Sequence, residues 1–148
     1  MADAAETEGA AAGAAFTRVR YPETDRMGIA HHAHYLVWFE LGRTEWMRDL
    51  GTPYAELEDR DAAFFPVVAA GVIYRASAHY DDRLRITTRL VWARRVRMRL
   101  EYTIEKLEDG STLATGYTVH ACVGRDGRPR RIPELLMRRL SQAAERSS

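Results

Sequence analysis

One short stretch of the sequence collects the polar side chains whose types and spacing suit chemistry. Residues 21–35 hold an aspartate, Asp25, a glycine, Gly28, and three histidines, immediately before an amphipathic segment. A carboxylate is ionised near neutral pH, so Asp25 can attack a substrate or activate water. The first turn of a helix exposes unpaired backbone N–H groups, which can hold a carbonyl or anionic oxygen. The stretch therefore predicts an acid beside the amides of a helix start.

Simpler interpretations of the same residues stay open. Asp25 also suits the turn before a helix, where aspartate commonly acts as a cap. Three histidines, His31, His32 and His34, could contribute to a zinc site. Consecutive residues at a helix start point in different directions, however, and Asp25 is their only well-placed carboxylate partner. We therefore predict no metal at these histidines.

A single long helix follows and must position this stretch. Apolar residues recur at the i, i+3, i+4, i+7 spacing of a helix with one apolar stripe, and Gly51 and Pro53 then end the pattern. The predicted helix spans residues 35–50, and its aromatic residues are expected in the core. Residues 54–57 are predicted as a turn-like connection, and residues 133–144 as a terminal amphipathic helix.

Most of the remaining chain alternates between apolar and polar residues, the pattern of half-buried strands. An Asp-Gly pair at 109–110 indicates a tight hairpin between the last two strands, and the apolar stretch 67–74 is predicted as a more buried strand. In the final strand, the apolar face that turns to the core is predicted to hold Leu113, Tyr117, Val119 and Val123. The five predicted strands cover residues 16–21, 67–74, 83–90, 97–105 and 113–123.

One helix with an apolar stripe needs a sheet to cover it, so these elements predict an α+β fold. We expect an antiparallel five-stranded sheet wrapped around one long central helix, with residues 16–148 as a single domain. Residues 1–15 are rich in Ala, Gly and Glu and are predicted to be a disordered tail. The edge strand of such a sheet is often paired with another copy, so a homo-oligomer is expected.

Composition excludes several other classes. A net charge of +1 gives no reason to propose nucleic acid as the main partner. No apolar run approaches the roughly 20 residues of a membrane span, and the first residues lack the basic start and apolar middle of a secretory signal. The single cysteine, Cys122, cannot form an internal disulfide, which fits a reducing compartment. The expected location is the cytoplasm.

Several groups of residues, in their order and spacing, are similar to the signature of a known family. They are Tyr21-x-Glu23-Thr24-Asp25-x-x-Gly28, His32-Ala33-x-Tyr35, Trp38-Phe39-Glu40, Tyr80-Asp81-Asp82, Glu101-Tyr102-x-Ile104 and Gly127-Arg128-Pro129-Arg130. Together they resemble the 4-hydroxybenzoyl-CoA thioesterase branch of the hotdog superfamily, from about Phe16 to Leu140. The resemblance implies a hotdog fold that hydrolyses an acyl-CoA thioester without a metal or redox cofactor. It also implies a dimer of hotdog subunits that assembles further into a tetramer.

The resemblance also implies roles for individual residues. Asp25 matches the catalytic carboxylate, as nucleophile or as general base, and the amide that polarises the thioester carbonyl maps to about His32. His32 and Tyr21 take supporting catalytic roles. The residues expected to bind substrate are Gly28, His31, Tyr35, Arg94 and Arg95.

The two arginines have a simpler interpretation, because Arg94 and Arg95 fall in a predicted turn between strands, where solvated charges are common. At the matching place in relatives, arginines face the coenzyme phosphates, whose geometry suits guanidinium groups. Arg130 and Arg131 are weaker candidates for the same contact. His34 departs from the asparagine that many relatives carry there.

Three other functions remain open at this stage. The thioester could belong to an acyl carrier protein rather than to coenzyme A. A hotdog hydratase or dehydratase would use a histidine with an aspartate and act on the acyl chain, but the place of Asp25 before the long helix argues against it. A noncatalytic acyl-CoA-binding protein could share the fold, since a fold alone determines no function.

Overall fold

The computed structural model describes residues 6–8 and 12–147, with side chains from residue 13 to residue 143. A short 3₁₀ turn at Tyr21–Glu23 precedes the long helix. The helices are α1 (His34–Asp49), α2 (Tyr54–Asp61) and α3 (Glu134–Ser147). The strands are β1 (Glu6–Glu8), β2 (Ala12–Arg18), β3 (Val67–Tyr74), β4 (Arg83–Arg94), β5 (Arg97–Lys106) and β6 (Thr112–Ala121).

All strand pairs of the sheet are antiparallel. The central order is β4-β5-β6-β3, and β1 and β2 both pair with β4 at different points along it. Because those two short strands share one edge position, the sheet is five strands wide, as the sequence predicts. In the part of the chain that the structure describes, no helix is long and apolar enough to span a membrane.

Helix α1 lies close against the inner face of the sheet, and glycines allow that approach. A Cβ at Gly42 would come within 2.7 Å of the Ile86 and Thr88 side chains, and one at Gly116 within 2.5 Å of the Phe39 ring. Each large apolar side chain removed from water here stabilises the fold by about 1.5–3 kcal/mol. The buried side chains between helix and sheet include Tyr35, Trp38, Phe39, Trp46, Met47, Leu84, Ile86, Leu90, Met98, Leu100, Tyr102 and Ile104.

The start of the domain differs from the prediction. Residues 6–8 and 12–15 lie in strands, although a disordered tail is predicted over residues 1–15. Small residues without alternation give no strand pattern, yet this position requires small residues. A Cβ at Gly13 would lie 3.1 Å from the Trp46 side chain, and Ala15 is buried. The rest of the predicted tail, residues 1–5 and 9–11, lies outside the described residues.

The core side of β6 also differs from the prediction, which placed Tyr117 and Val119 there. The buried residues of this strand include Thr118 and His120, on the opposite face. Tyr117 instead lies on the outer face, where the Arg99 guanidinium is 4.0 Å from its ring centroid. Gly116, the residue before Tyr117, leaves the space that the Phe39 ring occupies. A pattern of apolar side chains alone does not reveal that requirement.

Two further expectations were wrong. The predicted turn-like connection after Pro53 is an eight-residue helix, α2, whose only buried side chain is Leu57. A helix this short and this polar shows no clear apolar period. Strand β3 is not more buried than its neighbours, because it forms an edge of the sheet and exposes Val67, Val68 and Ile73.

Candidate active site

A tight loop presents Asp25 to solvent. Thr24 and Ala30 form a bridge across its base, and the Asp25 N–H donates to the Ile29 carbonyl at 2.9 Å. Gly28 has a φ of +78°, and its N–H donates to the Asp25 carbonyl at 3.0 Å. The predicted sharp turn at this glycine is therefore confirmed. One carboxylate oxygen of Asp25, Oδ1, accepts the Met27 N–H at 2.7 Å, so the side chain is oriented while remaining exposed.

The backbone just before α1 leaves one amide available. The His31 N–H donates to the Glu23 carbonyl at 2.8 Å, and the His34 N–H donates to the His31 carbonyl at 3.0 Å. The Ala33 N–H donates to the His31 ring nitrogen Nδ1 at 3.2 Å. Among the residues that the structure describes, the backbone amide of the exposed residue His32 has no acceptor. An unpaired N–H at the positive end of a helix can hold an oxygen of a bound molecule.

Asp25 and His32 line the same open cavity of about 410 Å³, and Tyr35 lines it with them. These are three of the predicted site residues. The remaining wall comes from the loop and from the end of β3 with the residues that follow it. It consists of Ile29, Ala30, Tyr74, Arg75, Ala76 and Ser77.

An exposed carboxylate and a helix-start amide without a protein acceptor thus line one cavity at the end of an antiparallel sheet. The sequence pattern of the thioesterase-like superfamily matches residues 19–140. The chain belongs to this superfamily.

Individual relatives agree with that membership. The thioesterase-like chain is 44% identical over 70 residues to the putative acyl-CoA thioesterase YneP of Bacillus subtilis, a match that covers 47% of this chain and 50% of that relative. It is 36% identical to the solved hypothetical protein TT1821 from Thermus thermophilus, over 89% of this chain and 97% of the other, with a TM-score of 0.82. The DHNA-CoA thioesterase from Staphylococcus aureus is 31% identical, over 81% and 80% of the two chains, with a TM-score of 0.77. The predicted hotdog architecture is confirmed.

A second carboxylate of the thioesterase-like chain, Glu23, has a part that the sequence does not reveal. It lies two residues before Asp25 yet is only 3% exposed. Its Oε2 accepts the Trp38 indole N–H at 3.1 Å, and its Oε1 accepts the Arg20 backbone N–H at 2.7 Å. Together with the bond from the His31 amide to its carbonyl, these contacts tie the loop to α1. An extended segment would point both carboxylates the same way, and the 3₁₀ turn separates them.

The end of β3 supplies cavity residues that the sequence analysis missed. Tyr74, Arg75 and Ser77 line the cavity although they follow an apolar run with no motif of its own. The Tyr74 hydroxyl donates to the His32 carbonyl at 2.9 Å. Only the polar change after the run, at Arg75, hints at a boundary where side chains could reach a site.

Five predicted site residues of the thioesterase-like chain do not line this cavity within one chain, and three of the five lie close to the loop of Asp25. Tyr21 is 75% exposed, and its ring centroid lies 6.0 Å from that of Tyr80. His31 supports the turn instead, with its ring stacked on His32 at 4.2 Å. Gly28 shapes the loop, and no atom lies within 4 Å of a Cβ built there. Their predicted roles toward substrate stay predictions.

Arg94 and Arg95 lie far from the cavity. Arg94 is the last residue of β4, and Arg95 lies in the turn that leads to β5. The Arg94 guanidinium is 4.7 Å from the Trp92 ring centroid, and the Arg95 carbonyl accepts the Ile132 N–H. Through β6 and β5, Tyr74 aligns with Ile86 of β4. Arg94 is eight residues further along that strand, about 26 Å at the usual rise. One chain therefore cannot bring these arginines to its own Asp25.

Another concavity, of about 330 Å³ on the outer face of the sheet, lacks comparable chemistry. Its carboxylate, Glu101, is ion-paired with both Arg89 and Arg99. The two guanidinium groups engage both carboxylate oxygens, so this concavity offers no free carboxylate among its lining residues. Over the described side chains, no three His, Cys, Asp or Glu residues come together as metal ligands.

Proposed function

We propose that this chain hydrolyses the thioester of an acyl- or aroyl-coenzyme A. The observation that carries the proposal is the cavity that an exposed carboxylate, Asp25, shares with an unoccupied helix-start amide, that of His32. A thioester between the two would have its carbonyl oxygen on the amide and its carbon beside the acid. The names of the relatives, an acyl-CoA thioesterase and a DHNA-CoA thioesterase, support the same reaction.

The reaction follows from the two groups. The His32 N–H and the partial positive charge of α1 stabilise the negative charge that develops on the carbonyl oxygen, an effect worth about 3–4 kcal/mol for one such donor in other enzymes. Oδ1 of Asp25 is occupied by the Met27 amide, which leaves Oδ2 to act. It either takes a proton from the attacking water or attacks the carbon itself. In the first route the water oxygen bonds to the carbon, the C–S bond breaks, and the proton held by Asp25 passes to the departing sulfur, so that the free acid and the coenzyme thiol are released. In the second route the C–S bond breaks as an anhydride forms with Asp25, the thiolate takes a proton from water, and a second water hydrolyses the anhydride to the free acid and regenerates Asp25.

The supporting residues fit this arrangement to different degrees. Tyr35 lines the cavity and is a candidate contact for the acyl group. The His32 ring is exposed beside its own amide, where it can contact the thioester. Tyr21, Gly28 and His31 surround the loop and are proposed to act on its shape or on the outer part of the substrate.

A second copy of the chain completes the proposal. The apolar edge strand β3 exposes Val68 and Ile73, and Leu36 and Val37 of α1 are exposed as well. Exposed apolar strand edges tend to pair with another chain. If two copies pair antiparallel along β3, the far end of one sheet lies beside the cavity end of the other. The arginine turn would then serve a neighbour's substrate, within a dimer that assembles into the predicted tetramer.

The proposal also covers where in the cell the protein acts and which molecule carries the acyl group. A coenzyme A ester and a lone buried cysteine, Cys122, fit a reducing compartment, so the cytoplasm is the proposed location. An acyl carrier protein thioester presents the same reacting atoms on the same pantetheine arm. Coenzyme A is the carrier that the relatives' names favour.

A panel of thioesters with free-thiol detection tests this function. It contains short-chain, long-chain and aromatic acyl-CoA esters and two acyl carrier protein thioesters. We expect turnover of at least one acyl-CoA ester with a kcat near the usual range of about 1–10³ s⁻¹. Tight binding of esters without thiol release would instead indicate a noncatalytic binding protein. Loss of water from a separately added 3-hydroxyacyl-CoA, followed by mass spectrometry, would indicate a dehydratase.

A further inference from the structure

A tyrosine from the edge strand reaches the turn that carries the proposed carbonyl-binding amide. Tyr74 is the last residue of β3, and its hydroxyl donates to the His32 carbonyl at 2.9 Å, across 42 residues of sequence. Both residues line the cavity that contains Asp25. The contact therefore joins the sheet edge to the backbone of the candidate site.

This hydrogen bond holds one side of His32. The other N–H that reaches its carbonyl, from Tyr35, is at 3.4 Å, beyond the usual range for a strong backbone bond. On the other side, the His31 carbonyl accepts the His34 N–H at 3.0 Å. Both peptide groups that flank the His32 Cα are thus anchored, and together they determine where the His32 N–H points.

The Tyr74 ring also packs against the first residues of α1, next to the turn at His32. It lies edge-on to Tyr35 with ring centroids 5.0 Å apart, and Tyr35 lies 4.9 Å from Trp38 in the same way. Trp38 in turn donates to the buried Glu23, which anchors the loop of Asp25. The aromatic contacts locate the phenol ring, so that its hydroxyl meets the His32 carbonyl.

We propose that Tyr74 is a positioning residue for thioester hydrolysis. Its hydroxyl holds the His32 carbonyl in place, and this keeps the His32 N–H directed into the cavity. This inference rests on the function proposed above. Since β3 is the exposed edge strand, the same tyrosine also makes the geometry of the amide depend on how that edge is paired. Tyr74 touches no reacting atom and acts through His32.

The substitution Tyr74→Phe isolates the hydroxyl, since it keeps the ring and its contact with Tyr35. We expect kcat to fall about fivefold to tenfold, the effect of one ordinary hydrogen bond. KM should stay within about twofold, and the melting temperature and oligomeric state should match the wild type. Tyr117→Phe is the matched control, because it removes a phenol hydroxyl from the outer face of the neighbouring strand and should leave kcat unchanged.

A spectroscopic measurement reads the contact without turnover. The sequence contains two His-Ala pairs, His32-Ala33 and His120-Ala121. Labelling histidine carbonyls with ¹³C and alanine amides with ¹⁵N therefore gives two carbonyl signals in a correlation spectrum. Tyr74→Phe should move the His32 carbonyl signal and leave that of His120 in place, whereas Tyr117→Phe should leave the His32 signal unmoved.

Each outcome decides the proposal. A His32 signal that does not move in Tyr74→Phe shows that the hydrogen bond is absent, and an unchanged kcat with a moved signal shows that the bond does not position the amide. Either result overturns the proposal. Wild-type rates on the thioester panel are measured first, so a chain without turnover overturns the proposed function and the role of Tyr74 with it, whatever the carbonyl signals show.

Discussion

The two ends of the sheet differ in whether their polar residues are exposed or buried and in which atoms hold them in place. At the end where β3 finishes, Asp25 and His32 face an open cavity, and the protein holds them mainly through their backbones. Toward the other end, His120 is fully buried and is held through its ring. One ring nitrogen bonds Thr118 at 2.8 Å and the other bonds the Phe65 carbonyl at 3.0 Å.

This difference separates groups that stabilise the fold from groups that can react. A buried polar side chain must have its hydrogen bonds satisfied by the protein, because an unpaired one destabilises the fold. A side chain or amide that meets a substrate must keep an open position and yet remain oriented. The loop of Asp25 meets both requirements with backbone bonds and with Glu23, a buried carboxylate two residues away.

The largest effect should come from removing the charge at the cavity. Asp25→Asn keeps the size and can still accept the Met27 N–H, but it loses the base or nucleophile. We expect kcat to fall by about three orders of magnitude, with the oligomeric state and the melting temperature the same as in the wild type. Asp109→Asn is the control, because the exposed Asp109 accepts the Ser111 N–H at 2.9 Å in a similar local bond. Near-normal turnover by Asp25→Asn would show that the reaction does not depend on Asp25 or on the end of the sheet where it lies.

The buried carboxylate at the same end should matter for stability. Glu23→Ala leaves the Trp38 indole N–H and the Arg20 amide without their acceptor. We expect the free energy of unfolding to fall by about 3–4 kcal/mol, measured by urea denaturation. Glu108→Ala, which removes an exposed ion pair with Arg83, should leave the urea midpoint unchanged. Equal midpoints for the two variants would contradict the anchoring role of Glu23.

At the opposite end, stability should depend on pH through His120. Burial, with a smaller contribution from the Arg43 charge, lowers the pKa of His120 from 6.5 to about 4. The unfolded chain takes up this proton near pH 6.5 and the folded chain does not, so stability decreases as the pH falls from 6.5 to 4. At about 1.4 kcal/mol per pKa unit, the loss attributable to this group is at most about 3.5 kcal/mol.

The variant His120→Gln serves as the comparison for that pH dependence, since glutamine does not titrate. The difference in unfolding free energy between wild type and variant should shrink between pH 6.5 and pH 4. A difference that stays constant across this range would mean that His120 titrates alike in the folded and unfolded chains.

The smallest effect should come from the arginine turn. Replacing Arg94 and Arg95 with Ala should raise KM for coenzyme A esters about tenfold and leave pantetheine esters unaffected, since only the former carry the nucleotide phosphates. Arg83→Ala, at the other end of the same strand, is the control. Equal KM changes for both ester types would show that the two arginines do not bind the nucleotide phosphates of coenzyme A.

Mixed oligomers sharpen this prediction. Combining Asp25→Asn chains with chains that lack both arginines creates sites with an intact Asp25 and a neighbour's arginines. Such mixtures should recover the wild-type KM at a reduced kcat. If the mixture keeps the raised KM of the double variant, the arginines do not act across subunits.

Local patterns predict much of this fold. The alternation around Met98, Leu100 and Ile104 identified a strand with one buried face, and the apolar stripe after His34 identified α1. Which face of β6 turns inward depends instead on the space around Phe39, and the exposure of β3 depends on its place in the strand order. These are properties of tertiary contacts, and the local sequence does not carry them.

The candidate site divides in the same way. Asp25, Gly28 and His32 lie within eight residues and can be found from one motif. Tyr74 acts on His32 from a distant strand, and no local pattern tells which strand end meets the loop. Glu23 was visible in the motif, but only its inward direction reveals that it anchors rather than reacts.

The account depends most on where the thioester carbonyl lies. A crystal structure of the Asp25→Asn variant with an acyl-CoA that the wild type hydrolyses would locate it directly. We expect the carbonyl oxygen at about 3 Å from the His32 backbone nitrogen, with the side chain at position 25 beside the acyl carbon. A thioester bound with its carbonyl away from that amide, or in the groove lined by Phe64 and Arg125, would contradict the central claim.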